Sequence, residues 1–220
     1  MELNRFVCKN YRDLDDLLKF SWSSPSNIAL VKYWGKNKDQ TPKNSSISFT
    51  LSSCKTKTSI IFSKIEKKLD VVNFTISYDG KTQNDFRPKI EKYFASIIQY
   101  CPYLLHYHLE INTKNTFPHS SGIASSASGM SALSLCIMSL EKEITKEDFS
   151  ANFFFLKASF LSRIGSGSAC RSVYGGFNIW GKHKDFEQSS DLFSLQINQS
   201  ISPKFGNYQD TILLVDENQK

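Results

Sequence analysis

Apolar and polar residues change period twice along the chain, and each change marks a change of element. Residues 12–19 read as a short helix, and Ile28-Ala29-Leu30-Val31 follows as an apolar strand ending near Gly35. Alternation, the mark of a half-buried strand, returns over residues 47–51 and 56–62, with Ser52-Ser53 between them as in a hairpin or meander. Residues 70–78 predict another strand, closed by the turn pair Asp79-Gly80. Residues 88–100 fit a helix with proline in its first turn, and residues 106–112 alternate again. From there the period lengthens. Ile123, Ala127, Met130, Leu133, Ile137 and Leu140 are spaced by three and four, one buried stripe of a helix. Residues 149–164 predict a second helix, apolar enough to be central, before strands return at 173–181 and 211–216. Strands, then helices, then strands predict an α+β fold.

Composition narrows the class. The chain has 220 residues, of which 40% are apolar and 17 are Phe, which supports a packed core and not a disordered chain. No apolar run approaches the roughly 18–20 residues of a bilayer span. Charges break up the apolar residues of the N-terminal twenty, unlike a secretory signal, so a cytoplasmic protein without a membrane partner is expected. The net charge of +6 is scattered, and its densest cluster (Lys64, Lys67, Lys68) is interrupted by Ile65 and Glu66. No nucleic-acid partner is expected; a polyanionic small molecule accounts for the charge equally well. Five widely spaced cysteines without a Cys-x-x-Cys pair form neither a disulfide framework nor a zinc site. His106 and His108 share a strand face but have no third ligand nearby in sequence.

Three segments carry candidate chemistry. Pro118-His119-Ser120-Ser121-Gly122-Ile123-Ala124-Ser125-Ser126-Ala127-Ser128-Gly129 runs from a loop of small residues straight into the striped helix. Small side chains let a ligand approach the backbone, and a helix start offers unpaired N–H groups, so the segment suits phosphate. An ordinary capped helix needs one Ser or Thr, whereas five serines fall within nine residues here. Ser125 and Ser126 add hydroxyls for phosphate or a metal. The second segment, Gly165-Ser166-Gly167-Ser168-Ala169-Cys170-Arg171-Ser172, combines tight backbone geometry with an arginine whose planar fork suits carboxylate or phosphate. The third, Ser26-Asn27-Ile28-Ala29-Leu30-Val31-Lys32-Tyr33-Trp34-Gly35-Lys36, places Lys32 in an apolar strand and Tyr33 and Lys36 at its end. By contrast, Gly176 to His183 has P-loop spacing only as far as Lys182, and its Phe-Asn-Ile-Trp centre alternates like a strand.

Together these segments resemble the GHMP kinase superfamily and, within it, the mevalonate diphosphate (diphosphomevalonate) decarboxylases. Pro42-Lys43-Asn44-Ser45-Ser46-Ile47-Ser48 and Tyr174-Gly175-Gly176-Phe177 extend the resemblance, which covers residues 22–182 and the strand at 211–216. It implies a ribosomal-protein-S5-domain-2-like domain over 22–200 after an N-terminal extension, 1–21. Residues 201–220 would begin a truncated, ferredoxin-like C-terminal domain. It also implies a reaction: ATP, with Mg²⁺, phosphorylates the 3-hydroxyl of mevalonate 5-diphosphate, and loss of phosphate and carbon dioxide gives isopentenyl diphosphate. Substrate contacts are implied for Asn27, Tyr33, Trp34, Gly35, Lys36, Arg87, Ser166, Gly167, Ser168, Ala169, Cys170 and Arg171. Arg171 would take the carboxylate, and Asn27 would orient that arginine. ATP contacts are implied for Pro118, Ser120, Ser121, Gly122, Ala124, Ser125, Ser126 and Ala127, with Ser125 as the Mg²⁺ candidate. Lys32 and Ser126 would stabilise the transferring phosphoryl group.

The family's catalytic aspartate lies in its C-terminal domain, so residues 1–220 are expected to be an inactive fragment of a homodimeric enzyme. A mevalonate monophosphate decarboxylase, a mevalonate 3-kinase and a catalytically dead binding protein are the alternatives.

Overall fold

The computed structural model describes residues 3–213 except 13, 15, 16, 119–121 and 146–149. Its frame is one seven-stranded sheet. Strand β1 (Leu18–Val31) runs antiparallel to β2 (Ser46–Lys64), and the order from the far edge is β4-β3-β5-β2-β6-β7. Strands β3 (Asn73–Tyr78) and β5 (Tyr107–Asn115) are parallel; β4 (Lys81–Thr82), β6 (Phe177–Trp180) and β7 (Ser194–Gln196) pair antiparallel to their neighbours. Helices α1 (Arg87–Ile97), α2 (Ser125–Ile144) and α3 (Ala151–Gly165) complete the α+β fold. No helix among the described residues is long and apolar enough to cross a membrane.

The helix expected from the spacing of Ala127, Met130, Leu133, Ile137 and Leu140 forms, but it has no single buried stripe: every residue from Met130 to Met138 is buried, so α2 is a central helix. Asp79 and Gly80 both have positive φ (50° and 77°), the geometry of a type I′ hairpin turn between β3 and β4. Four other expectations fail. Ser52-Ser53 is no turn, because β2 is continuous across it. The β1–β2 register jumps from Pro25↔Lys55 to Asn27↔Thr50, so residues 51–54 bulge opposite Ser26. Residues 18 and 19, expected to end a helix, begin β1, and no helix is assigned to the described residues among 12–17. Inward Leu18, Phe20 and Trp22 alternate with outward Lys19, Ser21 and Ser23, and this two-residue period prevails over the short helical pattern. The strand expected over 173–181 is reduced to β6. Gly176 (φ +75°) turns the chain so tightly that a Cβ there would meet Asn198, whose Oδ1 accepts a 2.6 Å bond from the Phe177 N–H. Finally, residues 211–213 form no strand, and 214–216 lie outside the described residues.

The boundaries expected for the extensions also move. The 21/22 boundary falls inside β1. Before it, Phe6 is fully buried, its ring 4.2 Å from that of Phe160, so the start of the chain belongs to the main core. The described part of 201–220 contains a short 3₁₀ turn, Pro203–Asn207, and Ile212 packs against Leu51, Phe117 and Ile123.

One polar contact is enclosed by this core. Lys157 of α3 and Glu141 of α2 pair at 2.6 Å with side chains 1% and 2% exposed. The Tyr103 hydroxyl donates to Glu141 at 2.8 Å, and Lys157 donates to the Tyr100 carbonyl at 3.1 Å. Burial raises the Glu141 pKa, while Lys157 opposes the rise. Lys157→Met should therefore cost about 3–5 kcal/mol at neutral pH, because it strands a buried charge. With its partner gone, Glu141 has a folded-state pKa raised further above the unfolded value. The variant's deficit should thus be smallest below about pH 4, the unfolded carboxyl range, and grow as pH rises. Urea unfolding of both proteins at several pH values measures this; a deficit independent of pH would contradict it.

Candidate active site

The start of α2 is built by backbone geometry. Gly122 has φ +78°, and Ala124, the residue before the helix, is left-handed at φ 51° and ψ 41°. Ala124 has no polar side chain to cap the helix, and no cap bond is made there among the described residues, which leaves the first-turn N–H groups open. The Ser26 hydroxyl donates to the Ile123 carbonyl and ties the loop to β1. Ser125 and Ser126 stand at the helix start. Ser128 is instead buried, with its hydroxyl 2.6 Å from that of Thr56. His119, Ser120 and Ser121 lie outside the described residues.

The second segment follows α3 as a 3₁₀ turn, Gly167–Ser172. Its glycines are there for close approach: a Cβ on Gly165 would lie 2.7 Å from Met130 Sδ, and one on Gly167 would lie 2.8 Å from Trp180 and 3.2 Å from Lys36 Nζ. The Ser126 and Ser166 hydroxyls are 3.5 Å apart, so the two loops meet. Arg171 is 3% exposed; its Nη1 donates to Ser46 Oγ at 2.8 Å, and its Cζ lies 5.6 Å from the Tyr33 ring centre and 6.0 Å from that of Trp180. Its Nε is buried without a partner, and no carboxylate among the described residues pairs with it. Desolvation lowers its pKa. A buried cation with a free donor and no counterion is costly unless an anion arrives.

The remaining expected residues divide. Asn27 does not touch the guanidinium: its Nδ2 donates to Ser172 Oγ at 2.7 Å and to the Ser168 carbonyl at 3.2 Å, fastening the turn that carries Arg171. Tyr33 packs edge-on to Trp180 at 5.0 Å, with Lys36 Nζ 5.7 Å from its ring centre. Lys32 is not inside a strand; it follows the last residue of β1 and is exposed. Trp34 is 79% exposed, and Gly35 takes φ +98°. Ser166 and Ser168 are half-buried, whereas Ala169 and Cys170 are fully buried, so these two offer a ligand no side-chain surface. Burial pushes the Cys170 thiol up to about 12, which makes it inert. Arg87 is half-exposed on α1, its Nε 2.8 Å from Glu91 and its Nη1 donating to the Phe74 carbonyl at 3.3 Å.

Beside the α2 start, a cavity of about 330 Å³ opens between the inner sheet face and helices α1 and α2. Ile76, Ile111, Met130 and Leu133 give it apolar walls, Thr56 and Asn115 add polar atoms, and Ser125, Ser126 and Lys89 also line it. The Asn115 Nδ2 is buried without a partner. Burial, and to a smaller extent the like charge of Lys36, lower the Lys89 pKa. Sequence reasoning missed Lys89, Thr56, Asn115 and Ser46 as site residues. The inward alternation of β2, which places Ser46 and Thr56 inside, was the available signal.

The model of the diphosphomevalonate decarboxylase-like N-terminal domain family matches residues 24–192. The diphosphomevalonate decarboxylase of Saccharomyces cerevisiae is 36% identical over 192 residues, covering 82% of this chain and 46% of that protein. That of Ganoderma lucidum is 33% identical over 189 residues, 80% and 44% of the two chains. Among solved structures, the mevalonate diphosphate decarboxylase of Enterococcus faecalis superposes with a TM-score of 0.65 at 30% identity, over 84% of this chain and 53% of that one. A structure described as MDDEF in complex with MVAPP, AMPPCP and magnesium matches with the same TM-score, 0.65, and identity, 30%, over 84% and 52% of the two chains. The chain spans about half the length of the curated relatives it matches. With its family model matched over residues 24–192, the chain belongs to the diphosphomevalonate decarboxylase-like N-terminal domain family.

Proposed function

We propose that this chain provides the ATP- and substrate-binding part of an ATP-dependent mevalonate diphosphate decarboxylase, which converts mevalonate 5-diphosphate to isopentenyl diphosphate. The observation that carries the proposal is Arg171, a buried guanidinium with an unsatisfied Nε and no counterion. A substrate carboxylate supplies the missing charge, and the fork fixes its plane. Lys36, Tyr33, Ser166 and Ser168 surround the Gly167 turn and take the diphosphate end. The uncapped start of α2, with Ser125 and Ser126, takes the ATP phosphates, and the adjoining apolar cavity has the size and lining for the nucleotide base.

The hydroxyl of Ser125, with phosphate oxygens, would give Mg²⁺ the all-oxygen ligands it prefers, and the ion would neutralise charge on the transferring phosphoryl group. Lys89 holds a phosphate from the cavity side, a role the exposed Lys32 shares only if the bound substrates draw it in. The general base for the 3-hydroxyl would come from a following, ferredoxin-like domain, in a cytoplasmic homodimer. That proton must leave as the phosphoryl group arrives, so binding is this part's contribution and chemistry needs the whole enzyme.

Three variants test the assignment in the full-length gene product. Gly122→Val forces a β-branched residue to φ +78°, so it should distort the loop and weaken binding of a non-hydrolysable ATP analogue. Ser126→Ala should lower turnover. Calorimetry and product assays read both, and unchanged affinity and rate would place the nucleotide elsewhere. Arg171→Lys keeps the charge and loses the fork, so kcat/KM should fall by about 2–4 kcal/mol in transition-state terms. A near-normal kcat/KM in the lysine variant would contradict the bidentate role.

A further inference from the structure

Arg163 is a second buried arginine, 3% exposed, and it has no ligand role in the proposal above. Its Nη1 donates to the Asp39 carbonyl at 2.7 Å and its Nε to the Leu192 carbonyl at 2.8 Å, with Cζ 5.5 Å from the Phe160 ring centre. No carboxylate among the described residues forms an ion pair with it. Burial lowers its pKa, and the carboxylates of Asp39 and Asp191 nearby oppose that shift without pairing with it directly. What distinguishes Arg163 is what it joins.

Asp39 is at the tip of the hairpin over residues 35–43. That hairpin is closed by the Asn37 N–H to the Thr41 carbonyl at 2.8 Å and the Lys43 N–H to the Gly35 carbonyl at 3.1 Å. The Asp39 carboxylate caps the tip, accepting from the Thr41 N–H at 3.1 Å and from the Thr41 hydroxyl at 2.6 Å. The next residue, Gln40, has φ +66°, and its Oε1 accepts from Lys36 Nζ at 3.1 Å. At the other end of the connection, Arg163 precedes by two residues the Gly165 that opens the Arg171 turn. One guanidinium thus binds the hairpin bearing Lys36 to the helix that delivers Gly167 and Arg171. This is where Lys36 Nζ stands 3.2 Å from the Cβ position of Gly167.

We propose that Arg163 is a positioning residue for the phosphorylated end of the substrate: it fixes hairpin 35–43 to the last turn of α3 and so holds Lys36 over the Gly167 turn. The inference rests on the assignment of Lys36 to the diphosphate made above. Its consequence is selective. Without Arg163 the hairpin tip loses its anchor, Lys36 is no longer preorganised, and the benefit of the second phosphate falls while the nucleotide site is untouched.

The test compares dissociation constants for mevalonate 5-diphosphate and mevalonate 5-phosphate in the full-length gene product, with a non-hydrolysable ATP analogue and thermal unfolding measured alongside. Lys36→Met should remove most of the preference for the diphosphate. Arg163→Gln should lower that preference by a similar factor, roughly tenfold for one charge-assisted hydrogen bond, and leave the analogue's affinity unchanged. Arg163→Lys, which keeps the charge and reaches one carbonyl, should restore part of it and serves as the readout if the glutamine variant does not fold. Lys36→Met without the preference beside Arg163 variants with all of it would overturn the inference and leave the site assignment standing. Retention of the preference in Lys36→Met would overturn the assignment and the inference with it. Equal losses for all three ligands in the Arg163 variants, in step with stability, would reduce Arg163 to a structural residue and overturn the inference.

Discussion

Strand β2 is hydrogen-bonded along β1 on one side and, on the other, to β5 through Thr56–Lys64 and to β6 through Ser46–Phe49. Both halves of the sheet depend on this one strand, and so does the site. Its start supplies Ser46 to Arg171, its second half supplies Thr56 to the cavity, and Leu51 in its bulge packs on Phe117 and Ile123, which flank the phosphate-type loop. A bulge concentrates twist and bends a strand without ending it. Here the bend lets a 19-residue strand serve two neighbours and brings the loop's apolar flanks under cover.

Three buried cations show how similar residues are put to different uses. Lys157 is matched by a carboxylate, so it belongs to the core and concerns the packing of α2 against α3. Arg163 is matched by two carbonyls from distant segments and acts as a fastener. Arg171 is matched only by a serine hydroxyl and two aromatic faces, with its Nε unused. The first is electrically complete, the second is geometrically complete, and the third lacks an anion. Burial makes that lack energetically significant, since the same guanidinium in water would be satisfied by solvent.

Two of the three non-glycine residues with left-handed φ among the described residues adjoin the candidate site, Ala124 at the α2 start and Gln40 at the hairpin tip; the third, Asp79, is in the β3–β4 turn. Each of the first two adjoins a candidate ligand group, Ser125 in one case and Lys36 in the other. Such conformations persist where surrounding contacts determine them, and the Ser26 and Arg163 hydrogen bonds are those contacts here.

The sequence by itself determined local elements. The three-and-four spacing from Ile123 to Leu140 specified that α2 is a helix, although burial all round its middle was decided by its neighbours, and Asp79-Gly80 specified a hairpin turn. The serine-rich and glycine-rich segments carried the phosphate and carboxylate reading before any contact was known. These features are legible because periodicity and φ preference are local properties of the chain. Tertiary structure decided what depends on distant neighbours. Ser52-Ser53 resembles a turn until β1 is seen to continue past it, and residues 12–19 resemble a helix until β2 pairs with Leu18 and Lys19. Lysines and arginines carry the same formal charge in sequence. Lys32 was expected inside and is exposed, while Lys89, at the cavity, and Arg163, buried under the hairpin, carry no local signal of either place. A cation's role follows from its desolvation and its partners, and both are set by residues far away in sequence.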